Sequence, residues 1–192
     1  MSVFTKVLTK SIRNRTFPKD MEQAREWFRV EAQKIRVTPD QILSDKAVKI
    51  VKSPKVGRMY LYKYDPLHKK DLPYYDAFPL IFMIERYTDG FLGINLHYLP
   101  YPFRAKLMDA LYTVTNNTKY DDTTKLKISY DILKGATKFK LFRPCVKQYL
   151  INHVRSPFIE IDATKWDICL MLPIHRFKKA SAQQVWKESL GR

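Results

Sequence analysis

Five glycines in 192 residues leave no G-x-x-x-x-G-K-[ST] and no G-x-G-x-x-G, which excludes the backbone cradles that hold nucleotide phosphates. A G-x-S-x-G elbow is missing too, and with it the usual serine-hydrolase nucleophile. Only two cysteines occur, Cys145 and Cys169, too few for a disulfide framework or an all-cysteine zinc site. Their apolar neighbours, Pro144 and Val146, Ile168 and Leu170, read as the surroundings of buried free thiols in a reducing compartment. The four histidines, His68, His97, His153 and His175, show no H-x-H or H-E-x-x-H spacing, so no metal site is expected. The longest apolar run, residues 78–84, is far short of the roughly 20 residues that cross a membrane. Cations scattered through residues 1–15, followed by Asp20, Glu22 and Glu26, fit neither a secretory leader nor an organelle transit segment. No membrane partner is expected, and the compartment is a cell interior or a larger particle assembled there.

Negative charge is the other scarcity. Lys and Arg number 35 against 19 Asp and Glu, a formal net charge of +16. Residues 1–56 carry 13 basic and 6 acidic side chains, residues 57–110 carry 7 and 6, and residues 111–192 carry 15 and 7. A nearly neutral, apolar middle lies between two basic wings. Self-repulsion of this size costs stability unless a partner neutralises it, which points to a polyanion, with nucleic acid first. An acidic protein neighbour is the alternative. With 45% hydrophobic and 14% aromatic residues, the chain has the means to bury a core despite its charge.

The chain divides into a basic arm (1–19), a helical extension (20–56) and an α+β core domain (57–192). Helical spacing of Met21, Ala24, Trp27 or Phe28 and Ile35 predicts a helix capped by Asp20. Thr38-Pro39-Asp40-Gln41 predicts a second, brief helix through a capping box. Residues 57–64 alternate as a strand does, with Met59 and Leu61 on one side and Tyr60, Tyr62 and Tyr64 on the other. Residues 78–85 read as a buried strand, Asp89-Gly90 as a type I′ hairpin turn, and residues 91–99 as the next strand of a meander. Pro100 and Pro102 open a helix with Phe103, Leu107, Ala110 or Leu111, and Val114 on one face. Ser129 is expected to cap a short helix, and Pro144 to begin another with Val146, Tyr149, Leu150 and Val154 inward. Strands at 158–162 and 166–172 then complete the sheet, and Ser181 caps a last helix carrying Val185 and Trp186. The expected architecture is a small antiparallel SH3-like β-barrel or curled sheet, with helices before, within and after it.

For chemistry, paired acids such as Asp121-Asp122 are explained by capping, and no catalytic residue or cofactor is required. His97, sharing a strand face with Asn95, is expected to be a hydrogen-bonded histidine on a half-exposed sheet. The basic signal is more specific. Lys134, Lys138, Lys140, Arg143 and Lys147 follow one another without an intervening acid, at spacings that line one face and neutralise phosphates. Arg155, Arg176, Lys178 and Lys179 extend the patch if the late strands fold back. Phe139, Phe142 and Tyr149, interleaved with these cations, suit the core better than stacking on bases.

The segments G-R-M-Y-L-Y-K-Y-D-P, L-P-Y-Y-D-A-F-P-L-I-F-M-I-E, D-G-F-L-G-I-N-L-H-Y-L-P, N-H-V-R-S and W-D-I-C-L-M-L-P form a distinctive set. Between about Trp27 and Trp186 the chain resembles small virion proteins of T-even-like tailed phages and their marine relatives, most closely the DNA end protector proteins. The resemblance implies a non-enzymatic virion protein, made in the host cytoplasm, that binds ends of packaged double-stranded DNA and shields them from host exonuclease. The alternative within the same group is a baseplate or neck subunit, with portal, neck or baseplate proteins as partners. Aromatics Trp27, Phe28, Tyr74, Tyr75 and Trp186 on the outside would favour that alternative. The strand pattern is also similar to SH3-like toxin ribonucleases, but Phe78-Pro79-Leu80 stands where that family has Arg-Pro-Val. The departure removes the arginine near its cleavage site and argues against RNA cleavage.

Overall fold

The computed structural model describes Phe4 and residues 21–191, so the Asp20 cap and, apart from Phe4, the basic arm lie outside the described residues. In chain order the elements are α1 (Met21–Lys34), α2 (Pro39–Leu43), β1 (Lys49–Val51), β2 (Met59–Leu61), β3 (Tyr75–Asp76), β4 (Leu80–Arg86) and β5 (Gly90–Asn95). There follow α3 (Tyr101–Thr115), α4 (Asp122–Ala136), β6 (Val146–Leu150), β7 (Phe158–Ile161), α5 (Trp166–Met171), β8 (Phe177–Lys178) and α6 (Ala182–Gly191). Short 3₁₀ turns at Leu96–Tyr98, Lys140–Cys145, Ile151–His153 and Ala163–Lys165 join several of them.

Six strands form one antiparallel sheet in the order β1-β7-β2-β4-β5-β6, and β3 pairs with β8 in a separate ribbon. The fold is α+β, with the predicted meander at β2-β4-β5. The barrel does not close, because the outer strands β1 and β6 have no pairing with each other. β1 is three residues long with Lys49 and Ile50 exposed, a short charged edge of the kind that discourages further pairing. The sheet is nonetheless strongly curled. Tyr62, at the end of β2, places its ring 5.8 Å from Phe91 on β5 and 5.7 Å from Tyr149 on β6. In a flat sheet, β2 and β6 would lie roughly 14 Å apart, three strand spacings.

Alternation along each strand creates two apolar faces. Met59, Leu61, Phe82, Ile94, Ile159 and Ile161 belong to the larger core with residues of α3, α4 and α5; there Trp166 sets its ring 5.8 Å from Phe82 and donates Nε1–H to the Ile161 carbonyl at 3.0 Å. Tyr60, Tyr62, Ile81, Met83, Phe91, Tyr149 and Phe158 form a second cluster inside the curl. Residues 21–56 contribute Ala32 and Ile42 to the larger core, and Phe4 joins it as well. The α1 helix is fastened by Arg25 and Arg29 to Asp109 on α3, with Arg29 also 3.5 Å from Asp167 on α5.

The Thr38 capping box forms as expected, Gln41 N–H donating to Thr38 Oγ1 at 3.2 Å and Thr38 N–H to Gln41 Oε1 at 2.8 Å. Five local expectations are corrected. Ser129 is not a cap; it is buried inside α4, which Asp121 caps by accepting the Thr124 N–H at 2.7 Å. Residues 146–150 are the strand β6, because pairing with β5 supplies their backbone partners. Residues 166–171 are the helix α5, whose uniform burial hides any helical period. The strand after the hairpin ends at Asn95, and Leu96–Tyr98 turns as 3₁₀ with Asn95 as its cap. The hairpin forms one residue earlier than expected: Tyr87 N–H donates to the Gly90 carbonyl, leaving Thr88 and Asp89 at its centre. Neither Asp89 nor Gly90 has positive φ, so the turn is not type I′. Gly90 is needed for a close approach instead, since a Cβ there would lie 2.1 Å from the Tyr149 carbonyl oxygen.

Candidate nucleic-acid interface

The cations read from the sequence fall at a corner where α4 ends and the chain turns into β6. Successive tight turns shape it. Thr137, Lys138 and Phe139 N–H groups donate to the carbonyls of Lys134, Gly135 and Ala136, and Phe142 N–H then donates to Phe139 O at 3.0 Å. Leu133 and Cys145, both with no exposed surface, pin the corner to the core from either side, and burial pushes the Cys145 thiol up to about 12. Lys134 sits in the last turn of α4 with its ammonium 5.5 Å from the Tyr130 ring centre; a hydrogen bond to Tyr130 raises its pKa. Lys138, Lys140 and Arg143 are exposed, and their side chains form no ion pair or hydrogen bond among the described residues. No acid stands between Asp131 and Glu160 to neutralise them locally.

The remaining candidates are distributed around this corner. Lys147, on β6, extends over the Tyr98 ring at 4.4 Å, and the edge of the same ring meets Phe177 of β8 at 5.2 Å. Tyr98 therefore links the corner to the ribbon that carries Arg176, Lys178 and Lys179. Lys178 is exposed and makes no side-chain pairing among the described residues. Lys179, at φ 68°, donates through Nζ to the carbonyls of Lys70 and Leu72. Arg176 spends its guanidinium on the carbonyls of Pro173, His175 and Val37. Arg155 is exposed on the far side of the ribbon. A backbone ladder joins it to Arg176: Arg155 N–H to Lys63 O, Tyr64 N–H to Ala77 O, and Ala77 N–H to Arg176 O.

Behind the interface lies a polar core that the sequence reading missed. His97 is fully buried in a 3₁₀ turn, not on a half-exposed strand, and its Nδ1 lies 2.7 Å from Asp76 Oδ2. Asp76 also accepts from the N–H groups of Phe78 and Arg176 and from Asn95 Nδ2, whose other contact is the Tyr149 hydroxyl. Burial alone would push the Asp76 carboxyl up; His97 and the backbone N–H donors outweigh it and hold the pKa below the ordinary value. Burial drives the His97 pKa down, so the pair is a carboxylate and a neutral imidazole with its proton on Nδ1. Arg104, equally buried, donates to the carbonyls of Leu99, His97 and Leu170, and its pKa falls to about 10 because of burial. The signal for Arg104 was present: with Leu107 and Leu111 it occupies the apolar stripe of α3. These groups hold the ribbon against the sheet, with Arg176 N–H bonded directly to Asp76.

Trp27, Phe28, Tyr74, Tyr75 and Trp186 are buried or half-buried, so they do not form the outer aromatic patch of a protein-docking surface. With exposed cations at the corner and those five aromatics turned inward, the family comparison becomes decisive: the family model described as "Phage T4 terminal DNA protecting protein" matches residues 1–189. The chain belongs to that family. Its members are named for a phage and for protecting terminal DNA. No curated protein and no solved structure matches the chain. No described helix is long and apolar enough to cross a membrane, and no metal-binding group of His, Cys, Asp and Glu occurs among the described residues.

Proposed function

We propose that this protein binds the ends of packaged double-stranded DNA in a phage head and denies host exonucleases access to them. The observation that carries the reading is the cluster of Lys138, Lys140 and Arg143 on one fixed corner, exposed and without anionic partners, in a chain of the terminal DNA protecting family. Lys134, Lys147 and Lys178 extend the positive surface, Arg155 flanks it, and Arg176 and Lys179 brace the ribbon beneath it through backbone carbonyls. Cations held this way displace the counterions condensed on DNA, and each phosphate neutralised adds affinity that declines with salt. Protection is then steric: a bound protein occupies the terminus where an exonuclease must load.

The test is digestion of linear duplex DNA by a processive exonuclease across a salt series, with closed circular DNA as competitor. Protection that fades with rising salt and survives excess circles is the expected result. Linear DNA digested as fast as naked DNA at low salt overturns the proposal.

A further inference from the structure

Cations select poorly between a DNA end and its interior. Every internal phosphate along the duplex presents the same charge, a terminal phosphate adds only one more, and phosphate contacts position a protein without selecting a site. The feature of an end that charge cannot read is its open base-pair face, since each interior pair is covered on both sides by its neighbours. Recognition of that face calls for a flat apolar group held outward among cations.

One side chain at the corner meets this description. Phe139 is 67% exposed, the highest value among the exposed large hydrophobic residues. It stands between exposed Lys138 and Lys140, at the residue that caps the Lys140–Cys145 turn. Its neighbours take other places. Phe142 packs against the larger core, Tyr149 is buried inside the curl, and Tyr130 donates its hydroxyl to the Ile84 carbonyl. Phe139 is held by backbone hydrogen bonds on both sides, its N–H to Ala136 O and its carbonyl from Phe142 N–H, each 3.0 Å. A single exposed apolar side chain is ordinary on a protein surface; what sets Phe139 apart is its place between two exposed lysines on a corner fixed by backbone hydrogen bonds.

Resting on the end-binding reading above, we infer that Phe139 is the residue that selects DNA ends, its ring stacking on the terminal base pair while Lys138, Lys140 and Arg143 hold the adjacent phosphates. The occupant is fixed by charge: Lys138 and Lys140 on either side in the chain, and Arg143 in the next turn, are exposed cations without side-chain partners among the described residues, which suits a stacked base pair flanked by phosphates better than an apolar protein surface.

The experiment compares binding of the full chain to blunt linear duplex and to closed circles of the same sequence, for the wild type, Phe139→Ala and Phe139→Trp. Loss of one stacked base lowers affinity about 5- to 160-fold. Phe139→Ala is expected to lose linear affinity by that factor with circle affinity unchanged, and Phe139→Trp to retain the preference. A 2-aminopurine at the terminal position should be quenched on binding by the wild type and not by Phe139→Ala, whereas an internal one should not respond to either. Because the side chain is mostly exposed, the urea midpoint of Phe139→Ala should match the wild type, separating lost recognition from lost folding. If the wild type prefers ends and Phe139→Ala does so equally, the ring is not the selector, and a protein contact becomes its role. If Phe139→Ala weakens linear and circular binding alike, the ring makes a general contact and the inference fails. A wild type with no preference for ends would overturn the end-binding reading itself.

Discussion

Lowering the pH from 7.5 to 5 should destabilise this protein through two histidines that cannot accept a proton where they lie. Burial pushes the His175 pKa down to about 3, with the neighbouring His97 adding to the effect. His97 is depressed in the same direction by burial, against the opposing pull of Asp76. Geometry gives the reason independently. The two rings meet edge to face at 5.9 Å, and His97 Nε2 and His175 Nδ1 are buried without hydrogen-bond partners. A proton placed on either nitrogen would find no acceptor there, and Arg104 on α3 and Arg176 beside β8 add positive potential to both sites. Asp76 is the anion that faces them, and its four donors already occupy it.

The sign follows from which state binds more protons. In the unfolded chain both histidines titrate near 6.5; in the folded protein both pKa values are lower. Stability is therefore full above the unfolded value and declines as the pH falls below it, by about 1.4 kcal/mol per pH unit for each histidine that stays neutral. At pH 5, His175 alone costs at most about 2 kcal/mol, since its partial exposure softens the effect, and His97 adds no more than a similar amount. Urea unfolding followed by tryptophan fluorescence should show the midpoint falling by about 1 M between pH 7.5 and 5 for a loss of about 2 kcal/mol, taking a slope of about 2 kcal/mol/M. In His175→Phe, whose ring would sit between Phe177 and Trp186, the pH dependence should shrink by the His175 share. Equal midpoints at the two pH values, or an unchanged dependence in His175→Phe, would refute the reasoning.

Three further outcomes are expected. Replacing Lys138, Lys140 and Arg143 together by Gln should reduce the slope of log affinity against log salt by about 2.7 if each meets one phosphate, measured by fluorescence anisotropy on duplex DNA, without shifting the urea midpoint. Arg104→Met should cost about 3–5 kcal/mol in urea unfolding, because it strands the three carbonyls that now share one buried guanidinium. Gly90→Ala and Gly135→Ala should move thermal stability in opposite directions: a Cβ at Gly90 collides with backbone, whereas one at Gly135 meets nothing within 4 Å and gains up to about 1 kcal/mol of helix propensity.

What the sequence disclosed was the local and periodic part of the fold. The Thr38 capping box, the Pro-led start of α3 and the opposed faces of Met59 and Leu61 against Tyr60 and Tyr62 all depend on residues within a few positions of each other. The errors share a different cause. Segment 166–171 is buried at every position but Asp167, so its mostly apolar run carried no period by which helix and strand could be told apart. Segment 146–150 is a strand because β5 offers it a partner 52 to 60 residues away, which no local spacing reports. Gly90 was read as a turn glycine when its function is to let the Tyr149 carbonyl pass. The cationic stretch was legible as charge, but whether its aromatics faced inward or outward depended on tertiary contacts, and the three rings divided: Phe142 and Tyr149 inward, Phe139 outward.

The same tertiary contacts split the positive charge, the strongest signal in the composition, into two kinds with different work to do. Arg29, Arg104 and Arg176 are held by carboxylates or carbonyls within the fold, and their charge is largely satisfied before any partner arrives. Lys138, Lys140, Arg143 and Lys178 have no such partners, so their charge remains for an external anion. Only the second kind contributes to counterion release on DNA, and net charge alone overstates the number of phosphates this protein can meet. The buried kind still matters to binding, because it fixes where the free kind points. Asp76 bonds the Arg176 backbone, Arg104 ties the His97 carbonyl to α5, and Tyr98 lies between Lys147 and Phe177. Loosening that core at low pH would therefore weaken the proposed end protection by scattering the cations, before any lysine or arginine at the corner changed its own charge.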